Sequence, residues 1–373
     1  KGLALGDIHY AATQGGFESS YNPNTQSFES RINFYGGSGG NNISINSTRR
    51  DSSVIEITNV FAGSGDDIVS IHNPSSDSGE GQPYLVVYGG LGSDRVDASS
   101  VLTSVTVYGD NDADYLHGGM SDDLLIGGSG NDEVFGNGGD DTILGDAGRG
   151  YYNSHYSILR IETDDQTEGG KDQLEGEAGS DVIFGGAGAD LLKGDSDNSA
   201  KGPFGSDILF GDHGVVVRQD GSNQANDAYS RITLADGPDT LIGGAETVGN
   251  IMIGGGDDDL IIGSAGNDVL FGDGGYITRN AVKTITLVET SDNTFGGSDT
   301  IDGGAGRDVV LGGVGSDEIS AGSGAGSLIA LGDNGKAQFA AGILRSIQTL
   351  DYSVGAGDVI HAGAGDNIVL GGT

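Results

Sequence analysis

The chain has 373 residues, a formal net charge of −38 and no cysteine. The acid excess argues against nucleic acid as a partner, because that affinity rests on neutralising phosphates. Missing thiols remove disulfide frameworks and thiol chemistry, and with no run of 18 apolar residues no transmembrane helix is expected.

In chain order, residues 1–108 carry sparse nine-residue units, GGSGGNNIS at 36, AGSGDDIVS at 62 and GGLGSDRVD at 89. Longer β-branched stretches lie between them, SSVIEITNVF, PYLVVY and SSVLTSVTVY, and these predict full strands. NPSSDSGEGQP at 73–83 is predicted to be a polar loop. This region is expected to be an irregular β-solenoid with wide coils and few ions.

From residue 109 to residue 373 the units become dense. GGSGNDEVF at 127–135, GGAGADLLK at 185–193, GGAGRDVVL at 303–311 and GGVGSDEIS at 312–320 fit G-G-x-G-x-D-x-U-x in full, where U is large and apolar. GGMSDDLLI, GNGGDDTIL, GEAGSDVIF, GGGDDDLII and GSAGNDVLF each miss one glycine. Glycine reaches φ > 0 without a Cβ clash, so G-G-x-G predicts a tight turn with inward carbonyls. The tripeptide x-U-x predicts a short strand with U facing inward. Nine residues make half a coil, and stacked coils share one apolar row. Inward carbonyls plus the Asp carboxylate form the oxygen ligand set of a hard cation, which Ca²⁺ tolerates in irregular geometry.

A longer period overlies this one. G-D-x-G recurs at 145, 211, 272 and 332, each time followed by an insert of about 20–25 residues. The inserts hold nine of the 17 basic residues, Arg149, Arg160, Lys171, Arg218, Arg231, Arg279, Lys283, Lys336 and Arg345, and several tyrosines. They are predicted to be β-hairpins folded back onto the roll. Phe184, Phe210, Phe271 and Leu311 stand at outward strand positions, and such patches are rarely left bare. GDIHY at 6 with FESRINFYGGSGG at 28 reads as one more such unit, and GDSDNSAKGPFGSD from Gly194 as a shorter interruption.

These repeats resemble those of the RTX proteins, also called hemolysin-type calcium-binding repeat proteins. The resemblance implies an all-β fold, a right-handed parallel β-roll with multiple Ca²⁺ between turns. It also implies export by a type I system and calcium-driven folding outside a bacterial-type cell, in a secreted or surface location. The family's sixth-position Asp maps onto Asp67, Asp94, Asp114, Asp123, Asp132, Asp141, Asp172, Asp181, Asp190, Asp207, Asp239, Asp259, Asp268, Asp299, Asp308, Asp317 and Asp358. The G-D turns add Asp146, Asp195, Asp212, Asp273 and Asp333 as candidate ligands. Asn250 and Asn367 replace the Asp, and 322–331 carries no acid, which puts calcium at those turns in question.

Catalytic signatures are missing. None of the six histidines lies in H-E-x-x-H; GGSGG at 36 lacks the strand–turn–helix setting of a nucleophile elbow, and DNDAD at 110 lacks the rest of an EF-hand loop. The expected function is a calcium-dependent, non-catalytic structural segment of a large extracellular protein, such as a surface layer, filament, sheath or adhesin stalk. The alternatives are the secretion and folding module of a secreted enzyme, such as a lipase, protease or epimerase, and a glycan-binding surface in the inserts. No signal peptide or export signal is visible, and the chain stops inside a repeat, so it reads as part of something longer. Self-association or continuation into a longer repeat chain is therefore the expected partnership, with surface glycan as a further possibility.

Overall fold

The computed structural model describes residues 20–22, 27–46, 55–72, 84–152, 158–164, 169–196, 204–218, 227–231, 236–245, 247–292, 294–322, 326–351 and 353–372. The predicted loop at 73–83 and GDIHY at 6 lie outside them.

The chain winds as a parallel β-roll of two facing sheets. Among the described residues the front sheet has 14 strands, from Ser20–Asn22 and Ser27–Ser38 to Ile368–Leu370, and the back sheet 12, from Asn42–Ile45 to Val359–His361. Successive strands alternate between the sheets, so neighbours within a sheet are parallel; only Ser20–Asn22 runs antiparallel to its neighbour. Residues 28–38 are therefore a front-sheet strand, paired in register with Ile55–Ser64; its first residues also close a short hairpin with Ser20–Asn22, which lies in the front sheet and not in the outer layer. Their alternating β-branched and aromatic pattern suits either place; the pairing decides.

The central U residue of each strand faces the other sheet. Leu116, Leu125, Val134, Ile143, Leu174, Ile183, Leu192 and Leu209 stack as one continuous buried core. A coil without an insert takes 18 residues between equivalent Asp positions. Earlier coils take 26 and 27, as the longer strands there predict.

The inserts build a third layer. Four hairpins leave the turns from front to back sheet: Gly148–Tyr152 with Ile158–Thr163, Gly214–Val217 with Asp227–Ser230, Gly275–Arg279 with Ile285–Thr290, and Gly335–Ala340 with Ile343–Thr349. Each also pairs antiparallel with the next, giving one eight-stranded outer sheet. Ile161, Val216, Ala228, Ile277, Val288 and Ala337 from this sheet pack on Leu144, Phe184, Phe210, Phe271, Leu311 and Leu331 of the front sheet. The outward apolar row is thus a second core. Buried Arg218 donates to Thr142 Oγ1 at 3.4 Å across this interface.

The G-D-x-G turn shows why its last glycine is needed. A Cβ on Gly214 would strike the Phe210 ring, one on Gly275 the Phe271 ring, and one on Gly148 or Gly335 the side chain of Leu144 or Leu331. The hairpin base is pressed onto the residue it covers, and only glycine permits that approach.

Before the first hairpin the same outward row continues as Tyr35, Phe61, Tyr88 and Tyr108. Their rings stack nearly parallel, with centroids 4.9, 4.7 and 4.9 Å apart.

Candidate metal centre

The sixth-position aspartates line the two edges of the roll, immediately before each strand. Asp67, Asp94, Asp114, Asp132, Asp172, Asp190, Asp239, Asp259, Asp299, Asp317 and Asp358 occupy the front-to-back edge, and Asp123, Asp141, Asp181, Asp207, Asp268 and Asp308 the back-to-front edge.

Along both edges they form a ladder. The backbone N–H of Asp67 donates to Oδ1 of Asp94 at 2.7 Å, Asp94 to Asp114 at 2.7 Å, Asp114 to Asp132 at 2.7 Å and Asp132 to Asp172 at 2.8 Å. The series runs on to Asp317, which donates to Asp358 at 3.1 Å. On the other edge Asp123 donates to Asp141, Asp141 to Asp181 and Asp181 to Asp207, at 2.7, 2.7 and 2.9 Å. Asn250 keeps its place, since its Oδ1 accepts from Asp207 at 2.8 Å, and Asn367 accepts from Leu328 at 2.8 Å. Leu328, paired with Asp308, offers no such oxygen, and there the ladder breaks.

One carboxylate oxygen is thereby used and the other is not. Oδ2 of Asp67, Asp94, Asp114, Asp132, Asp141, Asp172, Asp181, Asp190, Asp239, Asp259, Asp299, Asp317 and Asp358 is buried without a hydrogen-bond partner. Apart from that of Asp67, these oxygens point at the glycine that opens the turn, which for Asp172, Asp239, Asp299 and Asp358 lies across an insert, at Gly145, Gly211, Gly272 and Gly332. A Cβ on Gly109 would collide with Asp114 Oδ2 and approach the Gly127 carbonyl; one on Gly127 would meet Asp132 Oδ2 and the Gly145 carbonyl; one on Gly176 would meet Asp181 Oδ2 and the Gly194 carbonyl. Carboxylate and carbonyl oxygens converge with no donor between them. An uncompensated buried carboxylate is costly, and a calcium ion, which takes carboxylate and carbonyl oxygens together, fits this donor set. Among the described residues no three acidic or histidine side chains form a cage, so the ligands would come from backbone and single carboxylates.

The electrostatics agree with an uncompensated site. Burial, with repulsion from neighbouring aspartates, pushes Asp114 up to about 8 and Asp172 to about 9. Burial raises Asp190 to about 7 and Asp123 to about 8, and drives Asp141 and Asp181 well above the carboxylate range.

The aspartates of the G-D-x-G turns do something different. Asp212 accepts from Gly237 N–H at 3.1 Å and from Gly256 N–H at 2.6 Å. Asp273 accepts from Gly297 at 2.9 Å and also from Val314; Asp146 accepts from Ala187 at 2.6 Å and Asp333 from Ala356 at 3.2 Å. In Asp212 and Asp273 one oxygen holds the returning end of the insert while the other holds the next coil's turn. They clasp the roll where the hairpin is spliced in. Asp195 ends strand Leu191–Asp195, ahead of the shorter interruption, and its N–H donates to the Gly243 carbonyl at 3.3 Å.

A second ladder at the fifth position was not anticipated. Asp140 N–H donates to Asp122 Oδ1 and Ser180 N–H to Asp140 Oδ1, both at 2.9 Å, Lys171 to Asn131 at 2.9 Å, Ser298 to Asp258 at 2.6 Å and Arg307 to Asn267 at 2.8 Å. The signal was present: this position holds Asp, Asn or Ser in most repeats.

A family model described as RTX calcium-binding nonapeptide repeat matches residues 104–125, 117–152, 167–199, 249–276, 293–328 and 355–373. These stretches carry RTX calcium-binding repeats. The RTX repeats are calcium-binding and serve multiple ions; the matched stretches lie on ladder-bearing coils, and the ladders also run through Asp67, Asp94, Asp207 and Asp239 outside them. No curated protein matches the chain. No helix among the described residues is long and apolar enough to cross a membrane.

Proposed function

We propose that the chain is a calcium-stiffened, non-catalytic structural segment of a large extracellular protein. The observation that carries this reading is the pair of aspartate ladders running along both edges of the roll, tied together on one face by the hairpin sheet. Such a body resists bending, because each coil is joined to its neighbours by parallel strands, by ladder carboxylates and by the outer layer. Residues 109–373 form the calcium roll in this reading, and 1–108 an irregular lead-in with few ions. The sixth-position aspartates are the calcium ligands, and Asp146, Asp195, Asp212, Asp273 and Asp333 join them only where an oxygen is left over. Self-association or continuation of the roll then lengthens the rod. Stacking of sugar rings on the Tyr35–Tyr108 row is disfavoured, since those rings already spend their faces on one another.

The test is mechanical. Pulled from its two ends in single-molecule force spectroscopy, the calcium-loaded chain should unfold at high force, and the same chain in EGTA should extend with little resistance. Extension at the same low force in both conditions would remove the structural reading while leaving calcium binding intact.

A further inference from the structure

The outer sheet is complete between hairpins and open at its first strand. Gly148–Tyr152 pairs with Ile158–Thr163 on one side, and among the described residues no strand lies on the other. The equivalent strands Gly214–Val217, Gly275–Arg279 and Gly335–Ala340 are each paired on that side with the second arm of the preceding hairpin. The three seats share one chemistry. Ile161, Ala228 and Val288 face inward opposite Val216, Ile277 and Ala337. Two residues further on, a hydroxyl accepts from the first glycine of the next hairpin: Thr163 from Gly214 at 3.0 Å, Ser230 from Gly275 at 2.9 Å and Thr290 from Gly335 at 3.1 Å. Between them stands Glu162, Tyr229 or Glu289, and Glu289 lies opposite Lys336.

A seat of the same kind lies before Gly148, where no strand is placed among the described residues. Its base glycine is Gly148, its basic residue is the exposed Arg149, which is paired with Asp164 of its own hairpin at 2.9 Å, and its floor begins at the buried Ile126 and continues in register to Tyr108. An open strand edge beside an apolar shelf is a template for strand addition.

We infer that this seat binds an extended strand of a partner protein, antiparallel to Gly148–Tyr152, with the sequence aliphatic–acidic–Thr/Ser. The acid shares or takes Arg149 from the solvent-exposed pair with Asp164, the hydroxyl accepts from Gly148 and the aliphatic side chain lies toward Ile126 and Tyr108. Ile161-Glu162-Thr163 and Val288-Glu289-Thr290 are working examples of that strand within this chain. The inference rests on the hairpin sheet and not on the calcium reading.

The probe is a labelled synthetic peptide of residues 283–292, KTITLVETSD, added to the whole calcium-loaded chain and followed by fluorescence anisotropy. Saturable binding is expected, with slowed amide exchange confined to Gly148–Tyr152. Replacing the peptide's glutamate by lysine should weaken binding about threefold to fivefold, the scale of a like-charge cross-strand pair. The Arg149→Glu chain, with its calcium-loaded melting unchanged, should restore it. Absence of binding, or binding indifferent to both charge swaps, overturns the proposal. So does strong exchange protection of Gly148–Tyr152 before peptide is added, which would mean that the chain fills its own seat. A chain dimer that the peptide dissociates would replace the foreign strand by a second copy and overturn the assignment of partner.

Discussion

The two parallel sheets are written in one repeat and face different worlds. In the front sheet the outward row reads Ile126, Leu144, Phe184, Phe210, Ile253, Phe271, Leu311 and Leu331, all buried under the hairpins. In the back sheet the corresponding row reads His117, Phe135, Glu175, Lys193, Ile242, Ile262, Asp302 and Ser320, and it stays in contact with solvent. The turns and inward residues are the same in both. What separates the sheets is the outward flank of U, and it separates them because each hairpin leaves from the same edge and folds over the same face.

Calcium should matter to both sheets alike, and its removal is the largest effect expected. The ladders run along both edges, and their carboxylates repel one another at low dielectric when uncompensated. Chelation with EGTA at neutral pH should collapse the β signal in circular dichroism for the whole chain. If the hairpin-covered half kept its signal, the second core would be self-sufficient and the symmetry of the two edges would be lost.

Next in size comes the core that only the front sheet has. Phe210 is fully buried, stacked on Phe184 with centroids 4.8 Å apart. Phe210→Ala should cost about 3–5 kcal/mol in calcium-saturated denaturant unfolding, the usual range for a buried phenylalanine. A cost under about 1 kcal/mol would mean that the hairpins rest loosely on the roll.

Much of this comparison was legible in the sequence, and the physical reason is periodicity. Nine-residue spacing placed Asp and U in phase, so the roll, both sheets and the inward core followed. Phe184, Phe210, Phe271 and Leu311 announced a cover, because apolar residues at outward positions need one. The joining of the hairpins into one sheet was not legible, since pairing between arms about 50 residues apart leaves only the weak aliphatic–x–Thr/Ser signature. The work of Asp212 and Asp273 was hidden too: sequence shows a carboxylate beside a turn but not which backbone N–H reaches it. The strand at residues 28–38 does close a short hairpin with Ser20–Asn22, but its place in the front sheet and not in the outer layer was hidden for a related reason, as the local pattern suits both.

A pH titration separates metal-free from loaded roll. Without calcium, Asp114, Asp172 and Asp317 have folded values near 8, 9 and 8, raised first by burial, against an unfolded value of about 4. A raised carboxyl favours the fold fully below the unfolded value and loses that contribution as pH climbs through the folded one. The chain in EGTA should therefore melt higher at about pH 5 than at about pH 8. Calcium needs the ionised carboxylate, so the loaded chain should show the opposite slope, and calcium addition at neutral pH should release protons. Parallel slopes in the two conditions would uncouple the ladder aspartates from the metal.

A single buried ladder position should cost less than the whole set. Asp268 accepts from Asn250 N–H at 2.6 Å and from Ser264 N–H at 2.7 Å, with coils on both sides. Asp366 is a fifth-position residue with a less buried, peripheral place. Asp268→Ala strands two buried donors and should lose roughly 1–3 kcal/mol, whereas Asp366→Ala should stay within about 0.5 kcal/mol. Equal losses in calcium-dependent melting would contradict the ranking of sixth over fifth position.

The smallest effect returns to the two faces. Lys193 is the back-sheet residue in the place that Phe210 fills in the front sheet, and its register neighbours are Glu175 and Ile242. An opposite-charge neighbour on an open sheet face contributes a few tenths of a kcal/mol, because solvent screens it and the long side chain pays entropy to be held. Lys193→Ala should therefore change stability by less than about 0.5 kcal/mol under the conditions in which Phe210→Ala is costly. The difference between the two substitutions measures what the hairpin layer adds, since turn, ladder and inward residue are common to both strands. A loss above about 1.5 kcal/mol at Lys193 would mean that the back face is covered in solution, and the contrast between the sheets would then be one of partner and not of burial.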